Sequence, residues 1–326
     1  MKLLVTGGAG FIGSNFIRHM LEKYPTYRIV NVDLLTYAGN LDNLVEIQQS
    51  PNYRFMRADI TNVPAIETLV TEGIDAIVNF AAESHVDRSI TDPGIFVRTN
   101  VTGTQTLLDL ARKYQVHKFI QVSTDEVYGT LGAEGLFIES TPLAPNSPYS
   151  ASKAGADLLV RAYHETFGMN VNITRCSNNY GPFQFPEKLI PLMIRNALTN
   201  QTLPVYGDGQ NVRDWLHVED HCSAIDLVLH SGRSGEVYNV GGNNERTNEQ
   251  VVRTILKQLG KPETLITFVE DRLGHDRRYA IDATKIRDEL GWQPRYDYDS
   301  GIRQTIAWYQ ANGEWMRRIE TGEYRQ

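Results

Sequence analysis

Residues 2–13 read KLLVTGGAGFIG, an apolar run that ends in a glycine-rich turn and opens onto a helical pattern. The turn has G-x-x-G-x-x-G spacing, made by Gly7, Gly10 and Gly13. In such a turn the first glycine permits a tight bend, the second lets the backbone approach a pyrophosphate, and the third lets helix and strand pack closely. The N–H groups of Phe11 and Ile12 then face the anion. The stretch therefore predicts a dinucleotide-binding strand–turn–helix unit.

The rest of the first half repeats this alternation of short apolar runs and longer amphipathic stretches. Strands that are apolar throughout and joined by helices predict a parallel sheet covered on both faces. We expect an α/β fold with a doubly wound, Rossmann-like parallel sheet over residues 1–180. Residues 181–326, richer in Pro and aromatic residues, should form a smaller, mixed substrate lobe. Residues 215–242, which end in VYNVGG, are expected to return to the first domain.

Asp33 ends the second predicted strand, 20 positions after Gly13. An acid at this position accepts hydrogen bonds from the adenosine ribose and repels a 2′-phosphate, so NAD is favoured over NADP. Ligands of such sheets lie beyond the carboxyl ends of the strands. Further cofactor contacts are therefore predicted at the ends of the third and fourth strands and, more weakly, in the helix that follows: Asp59, Ile60, Ala81, Ala82, Ser84, Thr99 and Asn100.

The composition narrows the function classes. The 326 residues are 41% hydrophobic and carry a formal net charge of −7, which disfavours nucleic acid and membrane surfaces as partners. Cys176 and Cys222 form no C-x-x-C pair, so neither a disulfide framework nor a metal site is predicted. Glycines interrupt the N-terminal apolar run, and no apolar stretch has the length of a membrane helix. We expect a cytoplasmic protein.

Two further stretches suggest catalysis: STDEVYG at residues 123–129 and YSASK at residues 149–153. Tyr149 and Lys153 are four positions apart at the start of a helical pattern, so they share a face. An ammonium near a phenol favours the phenolate, and we expect Lys153 to lower the pKa of Tyr149 from about 10. The adjacent acids Asp125 and Glu126 repel each other, which is unusual for a buried strand end.

Taken in order, these motifs resemble the extended short-chain dehydrogenase/reductase family, in its nucleotide-sugar branch, over nearly the whole chain. In that branch Tyr149 and Lys153 work with a hydroxyl on the preceding strand end, here Thr124. An acid pair after that hydroxyl is typical of dTDP-glucose 4,6-dehydratases rather than 4-epimerases. Three more stretches match them: AAESHVDRSI (81–90), NVRDWLHVEDH (211–221) and GHDRRYAID (274–282).

The resemblance implies an NAD-dependent lyase that converts dTDP-glucose into a 4-keto-6-deoxy sugar for deoxysugar synthesis, such as the rhamnose route. Tyr149 would take the proton of the 4-hydroxyl while Thr124 holds its oxygen. Glu126 would remove the C5 proton, and Asp125, protonated, would give a proton to the departing C6 hydroxyl. Adjacent strand residues point to opposite faces, so both acids reach one sugar only if the backbone bends there. Burial and the neighbouring carboxylate should raise the pKa of Asp125.

The resemblance also assigns residues to the nucleotide-sugar half. Arg213 would clamp the diphosphate, because a guanidinium presents a planar fork to phosphate oxygens. Arg272 and His275 are candidates to join it. Asn178 would touch substrate, and Asn179 would lie near the cofactor. Ser84 and His85 are expected to contact the sugar, and the remaining residues expected around the nucleotide are Lys188, Leu189, Pro204, Val205, Tyr206 and Asn248.

Two other interpretations remain open. One keeps the fold but changes the reaction, to a nucleotide-sugar 4-epimerase or a 4,6-dehydratase of a UDP- or GDP-sugar; Asp125 and Glu126 disfavour the epimerase. The other is a non-catalytic NAD-binding sensor, which the presence of Thr124, Tyr149 and Lys153 disfavours. The resemblance further suggests a homodimer assembled through helices of the first domain.

Overall fold

The structure, a computed structural model, describes residues 1–271 and 275–325. The first β-strand pairs on both sides, and a parallel sheet of seven strands grows from it in the order β3-β2-β1-β4-β5-β6-β10. Strand β10 pairs in parallel with β6, which brings the chain back to the large sheet after a long excursion. The strands, in chain order, are β1 Lys2–Thr6, β2 Arg28–Asp33, β3 Tyr53–Arg57, β4 Ala76–Asn79, β5 Lys118–Thr124, β6 Val171–Cys176, β7 Asn178–Tyr180, β8 Leu203–Tyr206, β9 Val212–His217, β10 Val237–Val240, β11 Glu245–Thr247 and β12 Ile266–Val269.

Helices cover both faces of this sheet, as its uniformly apolar strands predict. The α-helices are α1 Phe11–Lys23, α2 Val63–Val70, α3 Val86–Thr91, α4 Pro93–Phe96, α5 Gly103–Lys113, α6 Pro148–Phe167, α7 Leu189–Leu198, α8 Val218–Ser231, α9 Asn248–Leu259, α10 Thr284–Leu290, α11 Tyr298–Ala311 and α12 Gly313–Thr321. A π-helical segment, Val97–Thr102, joins α4 to α5, and the short 3₁₀ helices are Leu41–Leu44, Asp125–Tyr128, Glu263–Leu265 and Glu323–Arg325.

Side-chain alternation along β1 divides the sheet into two cores. Leu3 and Val5 pack with residues of α1 and α8 on one face. Leu4 packs with residues of α2, α5 and α6 on the other. This is the Rossmann-like architecture that the sequence predicts, with the order of the strands reversing between β1 and β4.

The second half of the chain builds two small sheets around a third core. Strands β11, β9 and β7 form one sheet, and β12 pairs in parallel with β8 in the other. Helices α7, α9, α11 and α12 bury their apolar faces against one another and against these strands. A cleft opens between this part and the carboxyl ends of the large sheet, where β1, β4 and β5 end.

Candidate active site

The glycine turn after β1 forms the floor of the cleft. Gly7 has φ +70°, and a Cβ there would lie 2.6 Å from the backbone nitrogen of Ala81, so only glycine fits. A Cβ on Gly13 would lie 2.4 Å from the carbonyl oxygen of Gly7. Helix α1 begins at Phe11, its N-cap residue Gly10 has no side chain to cap it, and its first turn contains no acid. An uncapped helix start beside a turn with three glycines fits the pyrophosphate of a dinucleotide.

Gly8 is a further glycine that sequence reasoning missed. A Cβ on it would lie 2.3 Å from Oδ1 of Asn31, a buried side chain of β2. The doubled glycine at positions 7 and 8 was the available signal.

Asp33 stands at the end of β2, on the cleft wall. Its Oδ2 accepts the N–H of Ala9 at 3.0 Å and its Oδ1 accepts the N–H of Leu35 at 2.8 Å. Burial raises the pKa of this carboxyl, and the two backbone donors oppose the rise. The carboxylate thus fastens the glycine turn, and each oxygen has a second lone pair for the predicted ribose contact.

Most of the other predicted cofactor residues line the same cleft: Gly7, Gly10, Phe11, Ile12, Gly13, Asp59, Ile60, Ala81, Ala82, Ser84, Thr99 and Asn179. Asn100 has a different place. It is 1% exposed, its Oδ1 accepts the N–H of Glu83, and its Nδ2 donates to the Glu83 carbonyl and to Oγ of Ser152. Asn100 therefore holds the chain that follows β4 in position.

The acid pair occupies a sharp bend at the end of β5. Thr124 ends the strand in extended conformation, its Oγ1 accepts the N–H of Glu126 at 3.3 Å, and Asp125–Tyr128 form a 3₁₀ turn. The backbone bends where the sequence argument requires it, and Thr124, Asp125 and Glu126 all line the cleft.

Two residues that the prediction did not use hold this bend. The hydroxyl of buried Tyr128 donates to Oδ1 of Asn239 in β10 at 2.7 Å and accepts from Arg175 in β6 at 3.0 Å. Gly129 ends the turn with φ +89°, and a Cβ there would lie 2.3 Å from the carbonyl oxygen of Ala144. The last two letters of the STDEVYG stretch therefore have structural roles.

Asp125 is the most strongly perturbed acid of the cleft. It is 2% exposed, and its Oδ2 has no hydrogen-bond partner among residues 1–271 and 275–325. Burial raises its pKa well above the usual range, and the charges of Glu126 and Asp214 add to the rise. This environment favours the protonated carboxyl, and the direction of the pKa shift is the one expected from the sequence.

Tyr149 and Lys153 lie in the first two turns of α6, whose start is fixed by a capping box between Ser147 and Ser150. Both line the cleft. Nζ of Lys153 donates to the carbonyl oxygen of Val122 at 2.7 Å. The expected lowering of the Tyr149 pKa is wrong for this structure, because burial and the charge of Glu126 raise that pKa well above its usual value. Burial likewise lowers the pKa of Lys153.

Lys188, Asn178 and Asn179 form the opposite wall of the cleft. Nζ of Lys188 reaches across to the carbonyl oxygen of Ser84 at 3.3 Å. Asn178 lines the cleft, and its Oδ1 is buried without a partner in the described ranges. Oδ1 of Asn179 lies 2.9 Å from Nδ1 of His221.

Arg213 lies in β9, in a buried position deeper in the second half. Its Nη1 donates to the carbonyl of Val212 at 2.7 Å, its Nη2 donates to that of Asp276 at 2.8 Å, and its guanidinium lies 4.4 Å from the centre of the Tyr279 ring. Its positive charge lowers the pKa of Asp125, against the larger effects that raise it. The two groups are therefore electrostatic neighbours.

The remaining predicted substrate residues are spread around the small sheets. Val205 is buried in the third core, Tyr206 is 43% exposed, and the ring centre of Tyr206 lies 6.4 Å from that of His275. Nδ1 of His275 lies 2.6 Å from Oδ1 of Asp271. Leu189 begins α7, Pro204 lies in β8, Asn248 begins α9, and His85 precedes α3 with its Nε2 3.5 Å from Oε2 of Glu187. Arg272 lies outside the described residues.

A family model described as GDP-mannose 4,6 dehydratase matches residues 4–305. A dTDP-glucose 4,6-dehydratase of Xanthomonas campestris pv. campestris (strain B100) is 54% identical over 99% of this chain and 97% of its own. The crystal structure of dTDP-glucose 4,6-dehydratase from Bacillus anthracis in complex with NAD is 57% identical, with TM-score 0.93 over 98% of this chain and 99% of that one. The chain belongs to the dTDP-glucose 4,6-dehydratase family.

Another solved member of this family, DesIV of Streptomyces venezuelae with NAD and TYD bound, is 51% identical, with TM-score 0.95 over 98% of this chain and 100% of that one. Family membership confirms the resemblance inferred from the motifs.

Asp214 is the acidic site residue that sequence reasoning missed. It is 2% exposed and accepts the N–H groups of Gly242 at 2.9 Å and Asn244 at 2.6 Å. Its charge raises the pKa of Asp125. The signal was its place beside Arg213 in the NVRDWLHVEDH stretch.

Neither a metal-binding group of acids, histidines and cysteines nor a helix long and apolar enough to span a membrane occurs in the described ranges.

Proposed function

We propose that this chain is a dTDP-glucose 4,6-dehydratase that oxidises C4 of the sugar, eliminates water across C5–C6 and returns the hydride to C6. The product is dTDP-4-dehydro-6-deoxy-D-glucose. The observation that carries the proposal is the 3₁₀ bend that places Asp125 and Glu126 together in the cleft that also holds Thr124 and Tyr149. The similarity to enzymes of that name over the whole chain supports it.

NAD supplies the hydride acceptor at C4 and the hydride donor at C6 when it is bound. The uncapped start of α1, the glycine turn and Asp33 are the groups of this chain that fit it. The relative from Bacillus anthracis was crystallised with NAD, which supports the same cofactor here. The reaction consumes no external reductant, because the hydride removed in the first step is given back in the last.

In the oxidation, Tyr149 takes the proton of the 4-hydroxyl while Thr124 binds the same oxygen. The raised pKa of Tyr149 sets a requirement, because a buried phenol close to the Glu126 carboxylate resists ionisation. Positive charge must therefore offset it during catalysis, and Lys153, four residues along the same helix, is the nearest cationic side chain on its face.

In the elimination, the 4-ketone acidifies the C5 hydrogen, and Glu126 removes that proton. Asp125 donates its proton to the C6 hydroxyl, which leaves as water. The electron pair of the C5–H bond forms the C5–C6 double bond, and hydride return to C6 with reprotonation at C5 completes the sequence. The burial of Asp125 and the neighbouring charges of Glu126 and Asp214 support its role as the acid.

We assign the nucleotide diphosphate to the opposite wall and the buried region beside it. Lys188 and Asn178 line the cleft, Arg213 is an electrostatic neighbour of Asp125, and His275, Tyr206 and Asn248 lie along the small sheets. One relative carries TYD in its structure, which supports a thymidine nucleotide as ligand. A cytoplasmic location and a rhamnose-type pathway stay predictions from the sequence.

We also propose a homodimer that buries α3, α4 and α6 of the first half. Ile90, Ile95, Val97 and Leu158 lie on these helices and the π-helical segment, and they are between 39% and 55% exposed. Apolar side chains gathered on adjoining helices of one face are typical of a protein–protein interface. Sedimentation of Leu158→Glu beside the parent protein tests it: the variant should become monomeric, and an unchanged dimer would place the interface elsewhere.

Product analysis separates the candidate reactions. The purified protein is incubated with dTDP-glucose and, in parallel, with UDP-glucose and GDP-mannose. We expect a 4-keto sugar, detected by its absorbance in alkali, from dTDP-glucose first. A galactose-configured product would identify a 4-epimerase. A keto sugar formed only from UDP-glucose or GDP-mannose would identify a 4,6-dehydratase of that nucleotide sugar. Bound NAD with no product from any of the three would indicate a sensor.

A further inference from the structure

The C-terminal segment, residues 312–325, crosses from the third core to the cofactor half. Nε1 of Trp315 donates to Oδ1 of Asn43 at 2.9 Å. Nε of Arg318 donates to Oδ2 of Asp42 at 2.7 Å, and the hydroxyl of Tyr324 donates to the carbonyl of Tyr37 at 2.6 Å. Three side chains spread over ten residues thus bind one short stretch, residues 34–44.

That stretch borders the cofactor end of the cleft. Residues 34 and 36–39 line the cleft wall next to Asp33. Nδ2 of Asn43 and the N–H of Asn40 both donate to the carbonyl of Ala9 at 3.0 Å, inside the glycine turn. A chain of hydrogen bonds therefore runs from Trp315 through Asn43 to the turn that fits the pyrophosphate.

Helix α12 is itself fixed to the second half of the molecule. Trp315 is 8% exposed, Met316 and Ile319 are buried in the third core, and the Trp315 ring centre lies 5.2 Å from that of Trp308. Residues 34–44 are consequently held between the glycine turn on one side and a helix anchored in the other core.

We propose that Trp315, Arg318 and Tyr324 are positioning residues that hold residues 34–44 against the glycine turn and so slow the release of NAD. The inference rests on the proposed function, in which NAD is regenerated within each turnover and need not leave between cycles. An enzyme of that kind works best when its cofactor stays bound over many turnovers. Trp315, Arg318 and Tyr324 are not among the residues that line the cleft, so their effect falls on cofactor retention rather than on the chemical steps.

The test compares two double variants. Trp315→Phe/Tyr324→Phe removes one indole N–H and one hydroxyl from the contacts to residues 34–44. The matched control, Trp292→Phe/Tyr296→Phe, removes an indole N–H bonded to Oγ of Ser223 and a hydroxyl bonded to Glu219 instead. Release of NAD from the loaded protein is followed after rapid dilution into a trap, and melting temperatures are recorded with and without NAD.

We expect NAD release to be about tenfold faster in the Trp315/Tyr324 variant than in the control, the size that two lost hydrogen bonds of ordinary strength give. With NAD in excess, its kcat should stay within about twofold of the control. Equal release rates in two proteins that both hold NAD would overturn this inference alone. Parent protein that binds no NAD would overturn the proposed function together with it.

A second pair keeps the test informative if the first variant fails to fold. Arg318→Gln breaks the ion pair with Asp42, whereas Arg317→Gln breaks pairs with Glu314 and Glu323 inside the C-terminal segment. Faster NAD release is expected for the first substitution only. Equal effects of both would assign the change to the stability of the segment and contradict positioning through residues 34–44.

Discussion

Two aspartates lie at the carboxyl edge of the same sheet, Asp33 at the end of β2 and Asp125 after β5. They differ in the groups that surround the carboxyl. At Asp33 two backbone N–H groups donate to the carboxylate and oppose the effect of burial. At Asp125 one oxygen lacks a partner among the described residues, and two neighbouring carboxylates add to burial. The backbone donors favour the ionised form of Asp33, which can bind hydroxyls, whereas the neighbouring carboxylates at Asp125 favour the protonated form, which can give a proton away.

Among the substitutions at these two aspartates, Asp125→Asn should have the largest effect on turnover. Without its acidic proton the C6 hydroxyl leaves slowly, and we expect kcat for dTDP-glucose to fall about 10²–10⁴-fold, the usual contribution of a general acid. Oxidation at C4 does not need this proton, so nicotinamide reduction should still appear at 340 nm in a single turnover. Asp33→Asn is the matched control, with kcat near the parent value at saturating NAD. Loss of the 340 nm signal in Asp125→Asn would move Asp125 to the oxidation step.

Glu126→Gln tests the partner acid with a different readout. The parent enzyme working in D₂O should place deuterium at C5 of the product, because Glu126 exchanges that proton with solvent. The glutamine variant should lose this exchange and lose turnover by about the same 10²–10⁴-fold. Residual 4-keto-glucose without deuterium at C5, seen by proton NMR, is the expected species. Exchange that survives here and disappears in Asp125→Asn would swap the two roles.

Asp33→Asn sharpens the other side of the comparison. The amide cannot accept from both Ala9 and Leu35 and also serve the ribose, so we expect NAD affinity to fall about 10–100-fold, the range for a hydrogen bond to a charged group. Discrimination against NADP should weaken as well, because the repulsion of the 2′-phosphate is removed. Titration of the apoprotein with each cofactor measures both. Unchanged affinity for NAD would leave Asp33 with only its role in fastening the glycine turn.

The cofactor side could be predicted from sequence because its geometry is local. Gly7, Gly13 and Asp33 lie within 27 residues of one another, and a strand–turn–helix unit fixes their relation. Tyr149 and Lys153 share a helix face for the same reason. The fold class followed from the same alternation of strands and helices.

The environment of Asp125 could not be predicted in this way, because distant segments build it. Asp214 arrives on β9 about 90 residues later, and the chain at residue 278 pairs with Val212. The predicted direction of the Tyr149 pKa shift was wrong for the same reason. The sequence shows Lys153 four residues away, but it does not show that Tyr149 is buried or that the charge of Glu126 lies close to it. Local motifs were enough to predict which residues form the site, but the directions of their pKa shifts depend on segments that are distant in sequence.

The smallest expected effect is on stability, where the two aspartates should respond with opposite signs. The folded protein holds the proton of Asp125 more tightly than the unfolded chain does, so this carboxyl reduces the free energy of unfolding progressively as pH rises above about 4. Below that pH both states are protonated and the penalty disappears. Asp125→Asn should therefore melt higher than the parent protein, by about 2 °C per kcal/mol relieved, with a gain that is larger at pH 8 than at pH 5.

Asp33→Asn should melt at a lower temperature than the parent at both pH values. The carboxylate accepts the N–H groups of Ala9 and Leu35, whereas the asparagine amide places its own N–H₂ against one of these two donors. Scanning calorimetry of the NAD-free proteins at pH 5 and pH 8 records both signs, free of any contribution from bound cofactor. If Asp125→Asn raises the melting temperature and Asp33→Asn lowers it, then Asp125 reduces the stability of the fold in return for its chemical role, whereas Asp33 stabilises the fold. Destabilisation by both substitutions would show instead that Asp125 is ionised and satisfied in the folded protein, and its assignment as the proton donor would fall.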